Sequence, residues 1–583
     1  MKLLHHKILS FCSNFFVVFL LLICGFYAAN ATNKVEFKPG YYLIELTDKN
    51  HSPYSISAPL EFLTAESVAR RQLSGISINE SDLPVSPVYI DSIANVVSVF
   101  YASKWFNAVM VLLQDENDLN SILDFSFYKD MVFLKPLNVD KIFDISNEKL
   151  NLSENLYLPS IYNAKGSSIK TDLKFESSLK YDLGLMKAQI EMLNGHILHK
   201  NGFWGDGVSI ALFDSGFQST DVLDAFSHLW ESGRVKGHFD LVFDSEDVFN
   251  SHRHGTMVLS VMAALLPGQL AGAAPDASYW LFQTEDVKSE YWIEEANWLR
   301  AAEIADSLGV YVINSSLGYT LFDDVEQNHS YEDMDGITTI IARAAGFAYD
   351  KGMLVVNSAG NYGSGNWRYI GSPADSHGAL AVGALTILGH PAAFSSVGPS
   401  YDGRVKPDVM ALGYQVGLVN VMGVPAIASG TSFSSPIIAA LAACLWQEFP
   451  DRSNVDIRRA ITESSHKFYY PNDSLGYGTP DFARARMLLM NDFNHDDGFL
   501  LSVIPNPIIQ NSYIPIHSVS ECLAEYRIYN ISGQLVYQFQ SELIQGYNKV
   551  YPFKDIFNSL SSGMFFIRID FCNERYVVKL VKS

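Results

Sequence analysis

Apolar residues recur along this chain with a period that changes, and each change marks off a segment with its own predicted elements. Residues 41–47 alternate as a strand, Thr64 caps a helix running through Arg70 and Arg71, and 96–101 and 108–113 read as two more strands. A helix near 117–123 and a strand at 131–134 complete a β-α-β-β-α-β order, with an extra helical turn within 82–93. These patterns predict a small α+β unit over residues 32–136. Over 137–182, Asn, Ser and Lys recur without a sustained period, as in Asn151-Leu152-Ser153 and Lys165-Gly166-Ser167, which predicts an exposed linker. From 183 to 490 strands at 208–213, 278–282, 310–314 and 353–356 alternate with helices after His254 and at 296–307. Such alternation predicts an α/β unit, a parallel sheet with helices on both faces. Residues 498–583 turn to short strands separated by turn signals such as Ser532-Gly533 and Ser561-Ser562-Gly563, which predicts a β-sandwich-like tail.

A length of 583 residues agrees with several cores rather than one, and 48% hydrophobic residues can fill them. The formal net charge of −22 repels phosphate backbones, so no nucleic acid is expected as a partner. Lys2 and Lys7, the apolar stretch 8–26 and the small-residue exit Ala29-Asn30-Ala31 predict an export signal over residues 1–31. A membrane anchor and lipid attachment at Cys24 are the alternatives; the early position and small-residue exit favour removal. Cys12 and Cys24 leave with the signal, Cys522 and Cys572 can pair after export, and Cys444 sits in an apolar helical run as a buried thiol.

The chemistry concentrates in the α/β segment. A buried strand, Val208 onward, delivers Asp214 at its carboxyl end with Gly216 permitting a sharp exit. His252-Arg253-His254-Gly255-Thr256 opens an apolar helix, which suits His254 as a general base; two histidines alone lack the further ligands of a metal site. Ser429-Gly430-Thr431-Ser432 leads into a second apolar helix, placing Ser432 among free amides and the positive end of the helix dipole, with Pro436 expected in the first turn. Asn361, after the strand ending Asn357-Ser358-Ala359-Gly360, offers a side-chain amide to a developing oxyanion. Taken singly, these are ordinary turn or cap residues.

Together, Asp214-Ser215-Gly216, His254-Gly255-Thr256, Asn361 and Gly430-Thr431-Ser432 resemble the signature blocks of subtilisin-like serine peptidases, in that family's order. Gly272-Ala273-Ala274-Pro275, Asn314-Ser315-Ser316-Leu317-Gly318, Phe394-Ser395-Ser396 and Lys406-Pro407-Asp408 extend the resemblance. It implies an endopeptidase with Asp214, His254 and Ser432 as catalytic triad, Asn361 in the oxyanion hole, and protein or peptide substrates. Ser316, Leu317 and Gly318 would form a backbone rail of the cleft, and Ala359 and Gly360 one side of the specificity pocket. No cofactor is required; the family allows structural calcium, for which no compact acidic loop assigns a site. The early unit, with Arg70-Arg71 and Ser103-Lys104-Trp105-Phe106-Asn107, resembles an inhibitory prosegment, itself a partner of the enzyme, with cleavage expected in the linker. Pro505-Asn506-Pro507, Ile528 to Gln534, Gly563-Met564-Phe565-Phe566 and Val578-Lys579-Leu580 resemble C-terminal sorting domains of type IX secretion, which implies contact with secretion machinery and a secreted or cell-surface location. A catalytically silent binding or adhesion protein on the same fold is the alternative.

Overall fold

Seven strands form a sheet in the order Val409–Leu412, Ala379–Leu385, Leu354–Ser358, Val312–Ser315, Ser209–Asp214, Ser278–Gln283, Val235–Asp240. All neighbours are parallel. The computed structural model describes residues 37–137, 179–491 and 508–582, the last with breaks at 511, 519–520, 544–545, 555 and 572–573. The export signal with Cys12 and Cys24, most of the 137–182 linker, Pro505-Asn506-Pro507 and Cys572 lie outside the described residues.

Because a parallel sheet is covered on both faces, its central strands are apolar throughout, and every residue of Leu354–Ser358 is buried. Alternate side chains enter two separate cores. Ile210 and Leu212 pack with helices His254–Ala263 and Thr431–Glu448, whereas Ala211 and Phe213 pack with helices Trp292–Ser307 and Ile340–Asp350. Strand succession reverses between Ser209–Asp214 and Val312–Ser315, so a crevice opens there at the carboxyl ends of the strands.

The Lys406-Pro407-Asp408 block is a structural clasp. Lys406 Nζ is buried and donates to the carbonyls of Ser376 and Ala379 at 3.0 and 2.9 Å and to Asp408 Oδ2 at 2.8 Å. Burial pulls its ammonium down to about 8, against the attraction of Asp408.

The early unit has its strands in the order Ser98–Ser103, Ala108–Leu113, Gly40–Leu46, Tyr128–Pro136, all antiparallel. Thr64 caps helix Ala65–Leu73 by accepting from Ser67 N at 3.2 Å. One face of this sheet, with Tyr42, Ile44, Val109 and Val111, closes a core of its own over Ile93 and Ile122. The other, with Leu43, Ala108, Met110 and Leu134, merges into the core formed by helices Trp292–Ser307 and Ile340–Asp350. Trp105 stacks on Phe347 there, ring centroids 5.8 Å apart.

In the tail, antiparallel strands Leu535–Leu543, Cys522–Asn530, Gly563–Phe571 and Glu574–Lys582 form one sheet, and Ile514–Ser518 pairs with Gly546–Val550 in a second. Ala524, Tyr526, Ile528, Phe565, Ile567 and Ile569 point into the core of this module. Cys522 is disulfide-bonded and Cys444 is a buried free thiol. Among the described residues no helix is long and apolar enough to cross a membrane.

Candidate active site

Asp214 ends its strand at the crevice and is 1% exposed. Its Oδ1 accepts from His254 Nδ1 at 2.8 Å, from Ser215 N at 2.8 Å and from Ser215 Oγ at 3.2 Å. A carboxylate oxygen only accepts, so Nδ1 carries a proton, which leaves Nε2 as the ring nitrogen that can serve as the base when the ring is neutral. His254 is the first residue of helix His254–Ala263, and Gly255 lets that helix approach the strand exit. A Cβ at Gly255 would lie 2.3 Å from the Gly216 carbonyl oxygen. His252 holds the approach from the other side, with Nδ1 3.0 Å from Ser215 Oγ and 3.4 Å from the His254 amide.

Ser432 stands at the second position of helix Thr431–Glu448 and is 6% exposed. The ring of Phe433 lies 5.9 Å from that of His254, which brings the helix start against the imidazole. Pro436 is inside this helix, a turn later than the pattern predicts. Lacking an N–H, it cannot donate to the carbonyl four residues earlier, that of Ser432. Ser316 Oγ takes that carbonyl instead at 2.9 Å, while Ser432 Oγ donates to the Ser316 carbonyl at 3.4 Å. The missing helical bond thereby ties the segment Ser316-Leu317-Gly318 to the helix start.

Asn361 reaches the same place. Its Oδ1 accepts from Thr431 N at 2.9 Å and from Thr431 Oγ1 at 3.0 Å, which fixes the amide oxygen at the start of the Ser432 helix. Gly360 N donates to Thr431 Oγ1 at 3.2 Å, and its φ of +105° lets the chain turn where a Cβ would press on Tyr362 at 2.9 Å. Ala359 is buried beneath, its amide on the Val382 carbonyl at 3.0 Å. The Leu317 carbonyl accepts from Asn357 Nδ2 at 3.1 Å and the Gly318 carbonyl from the Tyr362 hydroxyl at 3.1 Å. Asp214 thus pairs with His254, Ser432 is tied to Ser316, and Asn361 and Gly360 are tied to Thr431 beside it, with Phe433 bringing the two groups together; Leu317 and Gly318 are held by Asn357 and Tyr362, and Ala359 is buried next to Gly360. Ser215, His252, Thr431 and Tyr362 hold them, and pattern alone did not single these four out. Ser215 and Thr431 do stand beside a named acid or nucleophile, which is the local signal that could have found them.

The crevice wall rests on a buried acid. Tyr319 exchanges backbone bonds with Ser372 at 2.8 and 3.2 Å, and three residues on, fully buried Asp375 accepts from Gly336 N at 2.8 Å. Burial pushes its carboxyl up to about 6, against Ser372, the Gly336 amide, Lys406 and Arg404. A raised folded pKa means that the folded state holds the proton more tightly than the unfolded one. Stability is then fullest below about pH 4 and falls as pH rises toward about 6, by about 3 kcal/mol. Asp375→Asn should melt above the parent at pH 8 and close to it at pH 4, measured by thermal unfolding. Equal gaps at both pH values would refute the coupling.

Farther along the crevice, Glu285, Glu290 and Glu294 bring carboxylate oxygens within 4.8 Å of one another. Lys135 of the early unit adds its ammonium nearby, on Ser289 Oγ at 2.9 Å and Asp286 Oδ2 at 3.4 Å.

Residues 205–479 match the model of the Subtilase family, residues 41–151 that of the Peptidase S8 propeptide domain of Bacteroidota, and residues 502–583 that of the secretion system C-terminal sorting domain. A subtilisin of Bacillus sp. (strain TA39) is 31% identical over 317 residues, covering 50% of this chain and 68% of that one. The thermostable alkaline protease of Halalkalibacterium halodurans is 27% identical over 277 residues, 47% of this chain and 67% of the relative. Subtilisin NAT of Bacillus subtilis subsp. natto is 28% identical over 307 residues, 51% of this chain and 70% of the relative. The sorting match marks an exported or cell-surface protein, and the propeptide match falls on the early unit and the start of the segment after it. With the parallel sheet and this likeness to proteases across it, the chain belongs to the subtilase family and is a serine endopeptidase.

Proposed function

We propose that the chain is exported by an N-terminal signal over residues 1–31 and cleaves protein substrates through an acyl-enzyme on Ser432. In this proposal residues 32–136 are the prosegment, 137–182 the linker that is cut, 183–490 the peptidase and 498–583 the sorting domain. The observation that carries it is the buried 2.8 Å contact of His254 Nδ1 with Asp214, beside a helix start bearing Ser432. His254 Nε2 takes the Ser432 proton as Oγ attacks the scissile carbonyl, and Asp214 balances the imidazolium. The proton then goes to the leaving amine, and water repeats the sequence to release the acid.

The tetrahedral oxyanion is met by the Ser432 amide and by Asn361, whose oxygen is already engaged by Thr431. An extended substrate pairs along Ser316-Leu317-Gly318 and enters the pocket beside Ala359 and Gly360. Asn361→Leu is expected to lower kcat about 100- to 1,000-fold with little change in KM, the size of loss such a donor costs in a subtilisin. No cofactor takes part in these steps, and any calcium would be structural.

Labelling by a fluorophosphonate serine-hydrolase probe after prosegment removal, with casein digestion in parallel, tests the proposal. Labelling that disappears in Ser432→Ala supports it. Absent labelling of the folded parent leaves the silent binding protein as the better reading.

A further inference from the structure

The contact between prosegment and peptidase contains a group of charges shut away from water. Asp306, next to last in helix Trp292–Ser307, has a side chain that is 0% exposed, as are those of Arg70 and Arg71. Arg70 Nη2 reaches Asp306 Oδ1 at 2.6 Å, and Arg71 Nη2 reaches Oδ1 at 2.8 Å and Oδ2 at 2.7 Å. Lys104 Nζ adds a bond to Oδ2 at 3.1 Å and another to Ser307 Oγ at 2.8 Å. All three cations belong to the prosegment and the acid to the peptidase. The grip continues beyond the acid, because Arg70 also donates to the carbonyls of Val310 and Lys351. The cations meet a helix at its carboxyl end, where the dipole favours positive charge.

A second strand of charge crosses the boundary the other way. Arg71 Nη1 pairs with Asp82 of the prosegment at 2.8 Å, and Lys351 of the peptidase pairs with Asp82 at 2.7 Å. Glu303, one turn before Asp306, accepts from Ser103 Oγ at 2.5 Å, Trp105 N at 2.9 Å and Lys104 N at 3.1 Å. Four cations thus close on two carboxylates, Asp306 and Asp82, in the dry contact, with Glu303 held beside them by a hydroxyl and two amides, so losing one acid strands several buried positive charges.

We propose that Asp306 is the anchor of the prosegment: Arg70, Arg71 and Lys104 close on this one carboxylate and keep the prosegment seated after the linker is cut. The inference rests on reading residues 32–136 as the prosegment, and it uses no residue of the proposed triad.

The test uses the full chain carrying Ser432→Ala, with a site for a sequence-specific protease introduced in the linker near Lys165. After cutting, retention of the prosegment is followed by size-exclusion chromatography and its dissociation constant by dilution. The prosegment should co-elute with the rest of the chain, and should do so equally in about 1 M salt, because dry charges are little screened. Asp306→Asn should raise the dissociation constant about 100-fold or more, and Lys104→Met, which leaves both arginines on the acid, about 10-fold. Spontaneous release from the otherwise unaltered chain overturns the inference, as does Asp306→Asn holding the prosegment undiminished. If near-ultraviolet circular dichroism finds Asp306→Asn unfolded, Lys104→Met decides: undiminished retention overturns the inference and loosened retention supports it. Since elution is the readout, an inactive peptidase would fail the labelling experiment and leave this result standing.

Discussion

Ser432→Ala is expected to lower kcat on a peptide substrate about a million-fold with KM nearly unchanged, the loss that removing this nucleophile costs in a subtilisin. The substitution deletes one oxygen and leaves the rest of the crevice in place. Ser316 still holds the Ser432 carbonyl at 2.9 Å, and Thr431 still holds Asn361. The residual rate, about 1,000-fold over water, then comes from substrate positioning and the oxyanion donors alone. Unprocessed chain should accumulate in the same variant if the linker is cut by the enzyme itself. Steady-state kinetics with the purified, prosegment-free protein decide the matter, and a loss below about tenfold would remove Ser432 from the reaction.

Asp214→Asn should cost about 10,000-fold in kcat, again with a small effect on KM. Asp214 and His254 are 1% and 2% exposed, so water cannot replace the missing negative charge when the imidazolium forms. The amide can also turn its N–H toward Nδ1, which would put the ring proton on Nε2 and disable the base. Ser215 limits that turn by donating to Oδ1 through N and Oγ, so Asp214→Asn combined with Ser215→Ala should be slower than Asp214→Asn alone. Stopped-flow or steady-state rates of the two variants check this, and equal rates would mean that the Ser215 hydroxyl does not orient the acid.

What could be read from the sequence was whatever repeats locally. Strands Ala108–Leu113 and Ser209–Asp214 have unbroken apolar runs, and their positions agree with the pattern to within a residue. The three blocks around Asp214, His254 and Ser432 are legible because each packs its surroundings into a few adjacent residues. Val235–Asp240 was not legible: it is an edge strand with Lys, Gly and His in it and only Asp240 buried, so no period stands out. The helix Trp292–Ser307 begins four residues before the predicted 296, because Glu294 and Glu295 look solvent-facing yet are buried. Arg70 and Arg71 present the same difficulty more sharply. Their acid lies 236 and 235 residues away in the chain, a distance at which periodicity carries no information.

The boundary that buries Asp306 and Glu303 must also be a tolerable surface once the prosegment is gone. Phe347 loses its stacking partner Trp105 and meets solvent beside them. The two carboxylates then hydrate, and each changes from an ion that needed a partner to a solvated charge on the newly bared face. Their shared sign sets one enzyme molecule against another at the spot where aromatic surface would otherwise draw copies together. If the prosegment leaves as proposed, the carboxylates that seat it are expected also to oppose self-association of the bared peptidase, which light scattering of the prosegment-free protein would show.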